Sequence, residues 1–249
     1  MYSEDDVIMV TGPGEQAEIL YPNGDKYRGK FTEGCKHGFG KYTYCGGECY
    51  EGNFERDMMH GRGRYTWDNA NWYEGDFWNN KMHGKGVLTD NDGGRYEGEF
   101  RHGMFDGRGI LTSSDGTIHE GMFADDVPKG PGIRTFQSGD RVSAVDFDKD
   151  TFSGVAVYEF YNGMRYVGDT WNCRPHGQGF FAWPRENLTS YAGKWVHGKS
   201  GKHRITVLKE SWNYDGPYGK SAPHEDGCTR HPEGVRKMPE RKCKRQRYT

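Results

Sequence analysis

One segment of the chain has the residue types and spacing of a phosphate-binding loop. Gly193 is separated by four residues from Gly198-Lys199-Ser200, which matches the glycine-rich loop that cradles nucleotide phosphates. A working loop of this kind lies between a buried strand and a helix. Here Gly193 continues the alternating pattern of Tyr191 and Trp195, and the residues after Ser200 favour a strand. We therefore predict that this segment is structural and that no cofactor is bound.

Four histidines recur at similar places in the sequence and could be taken for a metal-ligand set: His37, His60, His83 and His176. If each belongs to a successive hairpin, neighbouring histidines are separated by two strand spacings, about 9.6 Å. Ligands of one zinc ion lie only about 2.0–2.1 Å from the metal. We therefore predict no metal site, and we expect the histidines to bond nearby backbone in hairpin loops.

The cysteines give weak support for zinc. Cys45 and Cys49 lie in a turn and Cys35 is close in sequence, but a second close pair is lacking. The chain start lacks a basic and apolar leader, so we expect a cytoplasmic protein with six reduced thiols. No Ser or Cys lies in a recognisable nucleophile setting, so no catalytic residue is assigned and we predict that the protein is not an enzyme.

The elements that position these residues are revealed by a repeat of 23 residues. The pentapeptide Tyr-x-Gly-x-Phe begins at Tyr27, Tyr50, Tyr73 and Tyr96, and a fifth copy has His119 in place of tyrosine. The pattern returns at Tyr166 and Tyr191. Fixed periods of about 20–50 residues are typical of repeat architectures.

Each repeat has the pattern of a β-hairpin. Tyr50, Gly52 and Phe54 alternate with polar residues, and a second alternating run leads to Tyr65 and Trp67. Each glycine shares a face with an aromatic residue two positions away. A ring can therefore lie flat over the bare backbone, and we expect aromatic and glycine rows to interlock along one sheet.

The composition agrees with an extended array. Hydrophobic residues make up 33% of the chain, mean hydropathy is −1.01, and there are 38 glycines. Aromatic residues make up 14%, so burial must come mainly from stacked rings. In a solenoid each unit buries surface only against its neighbours, which suits such a sequence.

The sequence resembles the MORN-repeat family (membrane occupation and recognition nexus). The resemblance rests on Tyr50-Glu51-Gly52-Asn53-Phe54 with His60-Gly61-Arg62-Gly63, and on the matching segments that begin at Tyr73 and His83. It implies a non-catalytic scaffold of the kind found in cytoskeletal, ciliary and membrane-junction proteins. The uniform array is most similar to the radial-spoke-head members of flagellar axonemes.

We therefore predict an all-β fold, an elongated single-layer antiparallel β-meander solenoid of about eight hairpins. The predicted domains are an N-terminal extension (1–16), the repeat array (17–207) and an irregular basic tail (208–249). The array is degenerate at 141–155, where Val142 and Ala144 replace the tyrosine and glycine and an extra residue enters. Drift of the repeat, a bend and a docking patch are all left open there.

The expected function is binding of protein partners along an aromatic-lined face. Exposed aromatic side chains are common interface anchors. We expect the partners to be subunits of an axonemal or other cytoskeletal assembly, located at the cilium or flagellum, with self-association left open and no nucleic acid bound. The predicted contact residues are Tyr27, Tyr50, Tyr73, Tyr96, Tyr166 and Tyr191.

The charge distribution adds a second candidate surface. Residues 229–249 carry a net charge of +6, and the remaining chain carries −8. Such a tail attracts acidic protein surfaces or anionic lipid. The alternative function is therefore a peripheral scaffold associated with membranes or phosphoinositides and recruited through the basic tail. The predicted tail contacts are Arg236, Lys237, Arg241, Lys242, Lys244, Arg245 and Arg247.

Overall fold

The computed structural model describes residues 8–11, 16–67, 70–183, 189–200 and 206–207. Within these ranges the chain forms twenty β-strands and no helix, and all strands belong to one antiparallel sheet. Each strand pairs with the next along the chain, except where a short strand shares a neighbour. The predicted single-layer meander is confirmed. The early strands are β1 (Ile8–Thr11), β2 (Gln16–Leu20), β3 (Lys26–Thr32), β4 (Cys35–Thr43), β5 (Cys49–Glu55), β6 (Met58–Thr66), β7 (Trp72–Trp78), β8 (Lys81–Thr89) and β9 (Arg95–Arg101).

The later strands continue the same pattern, with two short strands that complete hairpins. The predicted domain boundaries remain predictions, and β1 lies in the stretch assigned to the N-terminal extension. The strands are β10 (Met104–Thr112), β11 (Ile118–Ala124), β12 (Val127–Thr135), β13 (Arg141–Asp148), β14 (Thr151–Phe152), β15 (Gly154–Glu159), β16 (Arg165–Trp171), β17 (Arg174–Trp183), β18 (Thr189–Val196), β19 (Lys199–Ser200) and β20 (Thr206–Val207).

Most hairpins close with a two-residue turn of left-handed backbone. Arg56 and Asp57 have φ angles of 47° and 68°, and Asn79 and Asn80 have 48° and 66°. Two positive φ angles in succession match the right-handed twist of the flanking strands, which is why such turns favour Asn, Asp and Gly. The sequence therefore supplies suitable turn residues at the tip of each hairpin.

The tight turns also fasten successive hairpins together. The Asn80 backbone N–H donates to the Met59 carbonyl at 3.0 Å, and the Met59 N–H donates to Asn80 Oδ1 at 2.8 Å. The same double contact joins Asp57 to Lys36. Since the turn groups would otherwise lack partners, each hairpin stabilises the one before it.

Alternation along the strands gives the sheet two different faces. On one, which we call the tyrosine face, lie the buried residues of the repeat, such as Tyr50, Gly52 and Phe54 in β5. The opposite side, the back face, carries Glu51 and Asn53 from the same strand, and both are exposed. The apolar core therefore lies along one face of a single layer.

Register shifts recur within the hairpins, and one further shift lies between two hairpins, where β12 pairs with β13. Gly132 pairs with Ala144 and Gly130 pairs with Phe147, so β13 has one residue more than β12 between these pairs. Val145 and Asp146 lie at this bulge, which accounts for the extra residue expected from the sequence.

Candidate functional site

The tyrosine face is built on a repeated unit in which one ring covers two glycines. The Tyr73 ring lies over Gly75 of its own strand and Gly86 of the next. A Cβ atom at either glycine would be 2.5 Å or less from the Tyr73 side chain. The Tyr73 hydroxyl donates to the Asp76 carbonyl at 2.8 Å. The expected interlocking of rings and glycines is therefore confirmed, and only glycine leaves room for the ring.

Phenylalanines pack against the tyrosines from Tyr27 to Tyr96. The Tyr73 ring meets Phe77 of its own strand at 5.1 Å and Phe100 of the following hairpin at 4.9 Å, both edge to face. Tyr50 makes the same pair of contacts with Phe54 and Phe77. Such pairs contribute roughly 0.5–1.5 kcal/mol beyond area burial. The rings thus form a ladder that couples each repeat to the next.

This packing corrects the expectation that the tyrosine rings are exposed anchors. Their relative exposures are at most 4%, because the flat ring rests on glycine and phenylalanine or tryptophan packs against it. Partner binding at this face stays a prediction, but these rings form its floor. The buried tyrosines are Tyr27, Tyr50, Tyr73, Tyr96, Tyr166 and Tyr191.

Burial changes the pKa of the tyrosine hydroxyls in the ladder. Removal from water raises the pKa of Tyr27, Tyr50, Tyr73 and Tyr96 well above the usual value, because the phenolate would lose its hydration. The tyrosines therefore remain neutral hydrogen-bond donors across the physiological range.

A second row of aromatic side chains lies where the sheet is more open. We call it the rim; it occupies the last position before each turn that joins two hairpins. Trp67 packs on Tyr65 at 4.8 Å, and Trp183 packs on Phe181 at 4.5 Å. The rim residues other than Tyr21 are partly exposed, and Asp90 and Ser113 interrupt the row. The rim aromatics are Tyr21, Tyr44, Trp67, Phe136, Phe160 and Trp183.

Sequence reasoning did not identify the rim, although a signal was present. Tyr21, Tyr44 and Trp67 follow one another at 23 residues, the period of the main repeat. They lie just past the end of a strand, where alternation stops. A search for period alone, without a requirement for alternation, would have found them.

The tyrosine row is interrupted between two separate apolar clusters. One cluster runs from Ile19 to Phe123 and the other from Val142 to Trp195. Between them the row contains His119 and Arg134, which are 3% and 5% exposed. Two polar side chains therefore separate the core into two parts.

Arg134 is held by backbone carbonyls of a hairpin turn. Its Nη1 donates to the Asp150 carbonyl at 3.2 Å and its Nη2 to the Lys149 carbonyl at 3.1 Å. The guanidinium carbon is 5.1 Å from the centre of the Phe147 ring. Burial lowers the pKa of Arg134. The side chain satisfies the turn carbonyls and packs on the core.

The histidines do not behave as expected. Within the described residues, the buried Nδ1 atoms of His60, His83 and His176 have no hydrogen-bond partner, so the expected bond from these atoms to backbone is wrong. Instead the His60 ring lies 4.5 Å from the exposed Trp78 and its Nε2 is 3.5 Å from Glu55. No group of three or more His, Cys, Asp or Glu in the described ranges is placed to hold a metal.

Cys35, Cys45 and Cys49 are free. The expectation of reduced thiols at the other cysteines remains a prediction.

The glycine-rich motif lies on a strand and a turn. Gly193 is in β18 beneath Tyr191, whose hydroxyl would be 2.4 Å from a Cβ there. His197 and Gly198 form a tight turn, and Lys199 begins β19. The interpretation of Gly193 as a repeat glycine is confirmed.

The predicted tail contacts lie outside the described residues. These are Arg236, Lys237, Arg241, Lys242, Lys244, Arg245 and Arg247. In the part of the chain that the structure does describe, no helix has the length and apolar character needed to cross a membrane.

Fold and site together define a class: a single-layer β-repeat protein whose surface, rather than a catalytic cavity, is organised by the repeat. The MORN repeat model matches residues 27–49, 50–71, 73–95, 96–118, 119–141 and 174–187, about half of the sequence. The chain belongs to the MORN repeat family. Members of this family are generally non-enzymatic, and the repeats indicate a scaffold that binds proteins or membranes. No curated protein matches the chain.

Solved structures show weaker similarity. The TCP domain of SAS-4 from Drosophila melanogaster, in complex with a proline-rich motif of Ana2, is 14% identical with a TM-score of 0.44. The match covers 66% of this chain and 90% of that one. The TCP10 domain of CPAP from Danio rerio, in complex with a STIL peptide, is 16% identical with a TM-score of 0.45. The match covers 82% of this chain and 93% of that one. These scores carry no inference about partners.

Proposed function

We propose that the protein is a non-catalytic scaffold that binds a protein partner along the rim of the tyrosine face, as a cytoplasmic subunit of a ciliary or flagellar axonemal complex. The observation that carries the proposal is the rim itself: partly exposed aromatics held on a buried ladder. Large aromatic side chains on a rigid support are the usual anchors of an interface. The axonemal assignment rests on the resemblance of the uniform array to radial-spoke-head proteins.

The rim indicates the shape of the partner. Its aromatics form two groups, which end at Trp67 and begin again at Phe136, with Asp90 and Ser113 between them. Trp67 and Phe136 are three repeats apart, a distance of about 29 Å at two strand spacings for each repeat. A partner that spans both groups needs two apolar anchors at this separation, about nine extended residues or about twenty helical residues apart.

A capture experiment tests the proposal. The tagged full-length chain is expressed in ciliated cells, neighbours are crosslinked, and cytoskeletal and axonemal proteins are quantified. Trp67→Ser and Phe160→Ser should each reduce capture at least tenfold, because they remove anchors from separate groups. Trp78→Ser is the matched control, since Trp78 is 52% exposed but lies on the back face.

The localisation of the tagged chain gives the second readout. The unmodified protein should concentrate at the axoneme, and the Trp67 variant should be more diffuse. A diffuse unmodified protein that captures no cytoskeletal or ciliary protein would contradict the proposal. Equal loss of capture by the Trp78 control would show that the rim is not the binding surface.

A further inference from the structure

The first group of rim aromatics belongs to a row of touching rings. The Tyr44 ring centre lies 4.7 Å from that of Tyr42 and 6.0 Å from that of Tyr65. Tyr21 extends the row at 5.8 Å from Tyr42, and Trp67 extends it at 4.8 Å from Tyr65. Neighbouring rings are tilted by 36° to 58°, so the row is ridged rather than flat. We call these rings the first rim strip.

Hydrogen bonds hold the first rim strip in place. The Tyr42 hydroxyl donates to Asp25 Oδ2 at 2.7 Å, and the Tyr65 hydroxyl donates to Glu48 Oε2 at 3.0 Å. The Tyr44 backbone N–H donates to the Glu48 carbonyl at 2.9 Å within its own turn. A bound segment therefore meets a fixed aromatic surface, and its contacts there come from side chains rather than from a main-chain ladder.

The spacing of the rim matches one regular backbone conformation. Rim positions recur once per hairpin, about every 9.6 Å. A polyproline II helix has 3 residues per turn and rises about 3.1 Å per residue, so the same side recurs about every 9.3 Å. Two turns of an α-helix advance about 10.8 Å. Over three repeats the polyproline II helix falls short by about 1 Å, whereas the α-helix drifts by about 4 Å.

The turns that carry the rim are acidic. The seven five-residue turns that begin at the rim positions from Tyr21 to Phe160 contain no Lys or Arg. Their acidic residues are Asp25, Glu48, Asp68, Asp90, Asp92, Asp115 and Asp140. Asp92 and Asp115 are exposed, and Asp90 is partly exposed. Because complementary charge fixes register and speeds association, a partner at the rim should carry Lys or Arg.

The basic residues nearest the rim do not cancel this charge. Four of them follow the turns directly, and since each comes immediately before a residue of the tyrosine face, it lies on the back face. They are Lys26, Arg95, Arg141 and Arg165. On the tyrosine face, the Lys36 ammonium lies 5.4 Å from the Tyr42 ring centre and is paired with Asp57 at 3.2 Å. The rim therefore combines aromatic rings with unmatched acidic turns.

We propose that the rim binds a proline-rich segment of another protein, in the polyproline II conformation and with Lys or Arg among its residues. The inference rests on the proposed function, since it names the chemistry of the partner at the same rim. Prolines at every third position meet Tyr21, Tyr44 and Trp67, and a basic residue one turn further meets Asp90. Proline brings an apolar ring and no backbone N–H, and polyproline II segments bind aromatic-lined grooves in this way.

Two labelled peptides of identical composition test the match of periods. The in-phase peptide is Arg-Ala-Ala-Pro-Ala-Ala-Pro-Ala-Ala-Pro-Ala-Ala-Arg, and the out-of-phase peptide is Arg-Ala-Pro-Ala-Ala-Ala-Pro-Ala-Ala-Ala-Pro-Ala-Arg. Both sequences read the same in either direction, so the direction of binding does not affect the comparison. In fluorescence anisotropy with the full chain, the in-phase peptide should bind roughly tenfold more tightly, because only its prolines meet successive rim rings.

Variants then locate the binding surface. Trp67→Ser should weaken binding of the in-phase peptide roughly tenfold, whereas Trp78→Ser on the back face should leave it unchanged. Asp90→Asn keeps an acceptor for the Gly94 N–H but removes the charge, so it should weaken binding several-fold and reduce the dependence on salt. Its matched control is Asp125→Asn, in a hairpin turn at the opposite edge. Thermal unfolding of each variant verifies the fold.

Failure of the in-phase peptide to bind overturns the inference, whether residues 229–249 of this chain or a segment without proline occupies the rim. Equal affinity for the two peptides, or equal loss in Trp67→Ser and Trp78→Ser, overturns it as well. Binding that is unaffected by Asp90→Asn contradicts the requirement for Lys or Arg.

The peptide assay and the capture experiment can fail separately. If no peptide binds but capture from ciliated cells still depends on Trp67, the proposed function stands and the partner chemistry inferred here is wrong. In-phase binding without capture of any cytoskeletal or ciliary protein supports the inference and contradicts the axonemal assignment.

Discussion

The regular region from Tyr27 to Leu111 and the interrupted region from His119 to Ala156 pair their strands in the same order but differ in side chains and in the bulge at Val145 and Asp146. In the first, a tyrosine rests on a pair of glycines, as Tyr50 does on Gly52 and Gly63. In the second, Val142 occupies the tyrosine position, and the glycine pair is replaced by Ala144 and Ala156, which are 6% and 1% exposed. The ring and the bare backbone are therefore lost together.

This difference shows that the repeat is a set of coupled positions. A tyrosine ring needs both glycines, whereas valine leaves space that two methyl groups fill. The pattern Tyr-x-Gly-x-Phe is thus a packing unit that spans two strands. Where Val142 replaces the tyrosine, alanine replaces the glycine on both strands, as Ala144 on β13 and Ala156 on β15.

Among the changes considered, alkaline pH should lower the free energy of unfolding most. It should act mainly through the buried tyrosines of the regular region. Burial raises the pKa of Tyr27, Tyr50, Tyr73 and Tyr96 above the value of about 10 in the unfolded chain. Their stabilisation is complete below pH about 10 and is lost as pH rises further. Each contributes a slope of about 1.4 kcal/mol per pH unit to the free energy of unfolding. Circular dichroism should show cooperative unfolding above pH 10.

A hydroxyl deletion tests the source of that slope. Tyr73→Phe should reduce the pH dependence by one proton, at the cost of about 1 kcal/mol from the lost bond to the Asp76 carbonyl. Tyr161→Phe, at a residue 75% exposed, is the control. An equal change of slope in both variants would contradict the assignment to buried tyrosines.

Exchanging glycine and alanine at equivalent positions should change the free energy of unfolding by different amounts in the two regions. In Gly63→Ala the new Cβ would lie 2.3 Å from the Tyr50 hydroxyl oxygen, so the ring must leave its place. We expect a loss of about 3 kcal/mol or more in the free energy of unfolding, at the upper end for overpacking. The reverse change in the interrupted region, Ala144→Gly, should cost only about 1 kcal/mol. Urea denaturation measures both, and similar losses would show that the regions do not differ in this way.

Replacing Arg134 tests whether the interruption is drift or a structural substitute. The equivalent positions in the regular region hold Leu88 and Leu111, so Arg134→Leu restores the repeat in sequence. It also removes the donors to the Lys149 and Asp150 carbonyls. We expect a loss of about 1–3 kcal/mol, measured by urea denaturation, because buried acceptors are left unpaired. Increased stability would mean that Arg134 is not needed by the turn.

The sequence was sufficient to predict the strands, because alternation and period act locally. Tyr73 and Gly75 indicate a strand and a close contact without any knowledge of the rest. The exposed fraction of the tyrosine rings could not be predicted, since the burial of Tyr73 depends on Phe100 in the next hairpin. The role of Arg134 depends on carbonyl groups fifteen and sixteen residues away, which no pattern of side chains reveals.

Replacing His119 by the tyrosine of the regular repeat should change the free energy of unfolding least. Unlike the other changes, it should raise the stability. His119 lies over Gly121 and Gly132, and both glycines of the regular unit are present beneath it. Its ring already meets Phe123 at 5.4 Å and Phe147 at 4.8 Å, edge to face, as a tyrosine would. In His119→Tyr the new hydroxyl can donate to the Met122 carbonyl, because the tyrosine at the start of each Tyr-x-Gly unit donates to the carbonyl three residues on. We expect a gain of about 0.5–1.5 kcal/mol in thermal or urea unfolding. A destabilised variant would show that His119, like Arg134, makes contacts that the regular unit cannot replace.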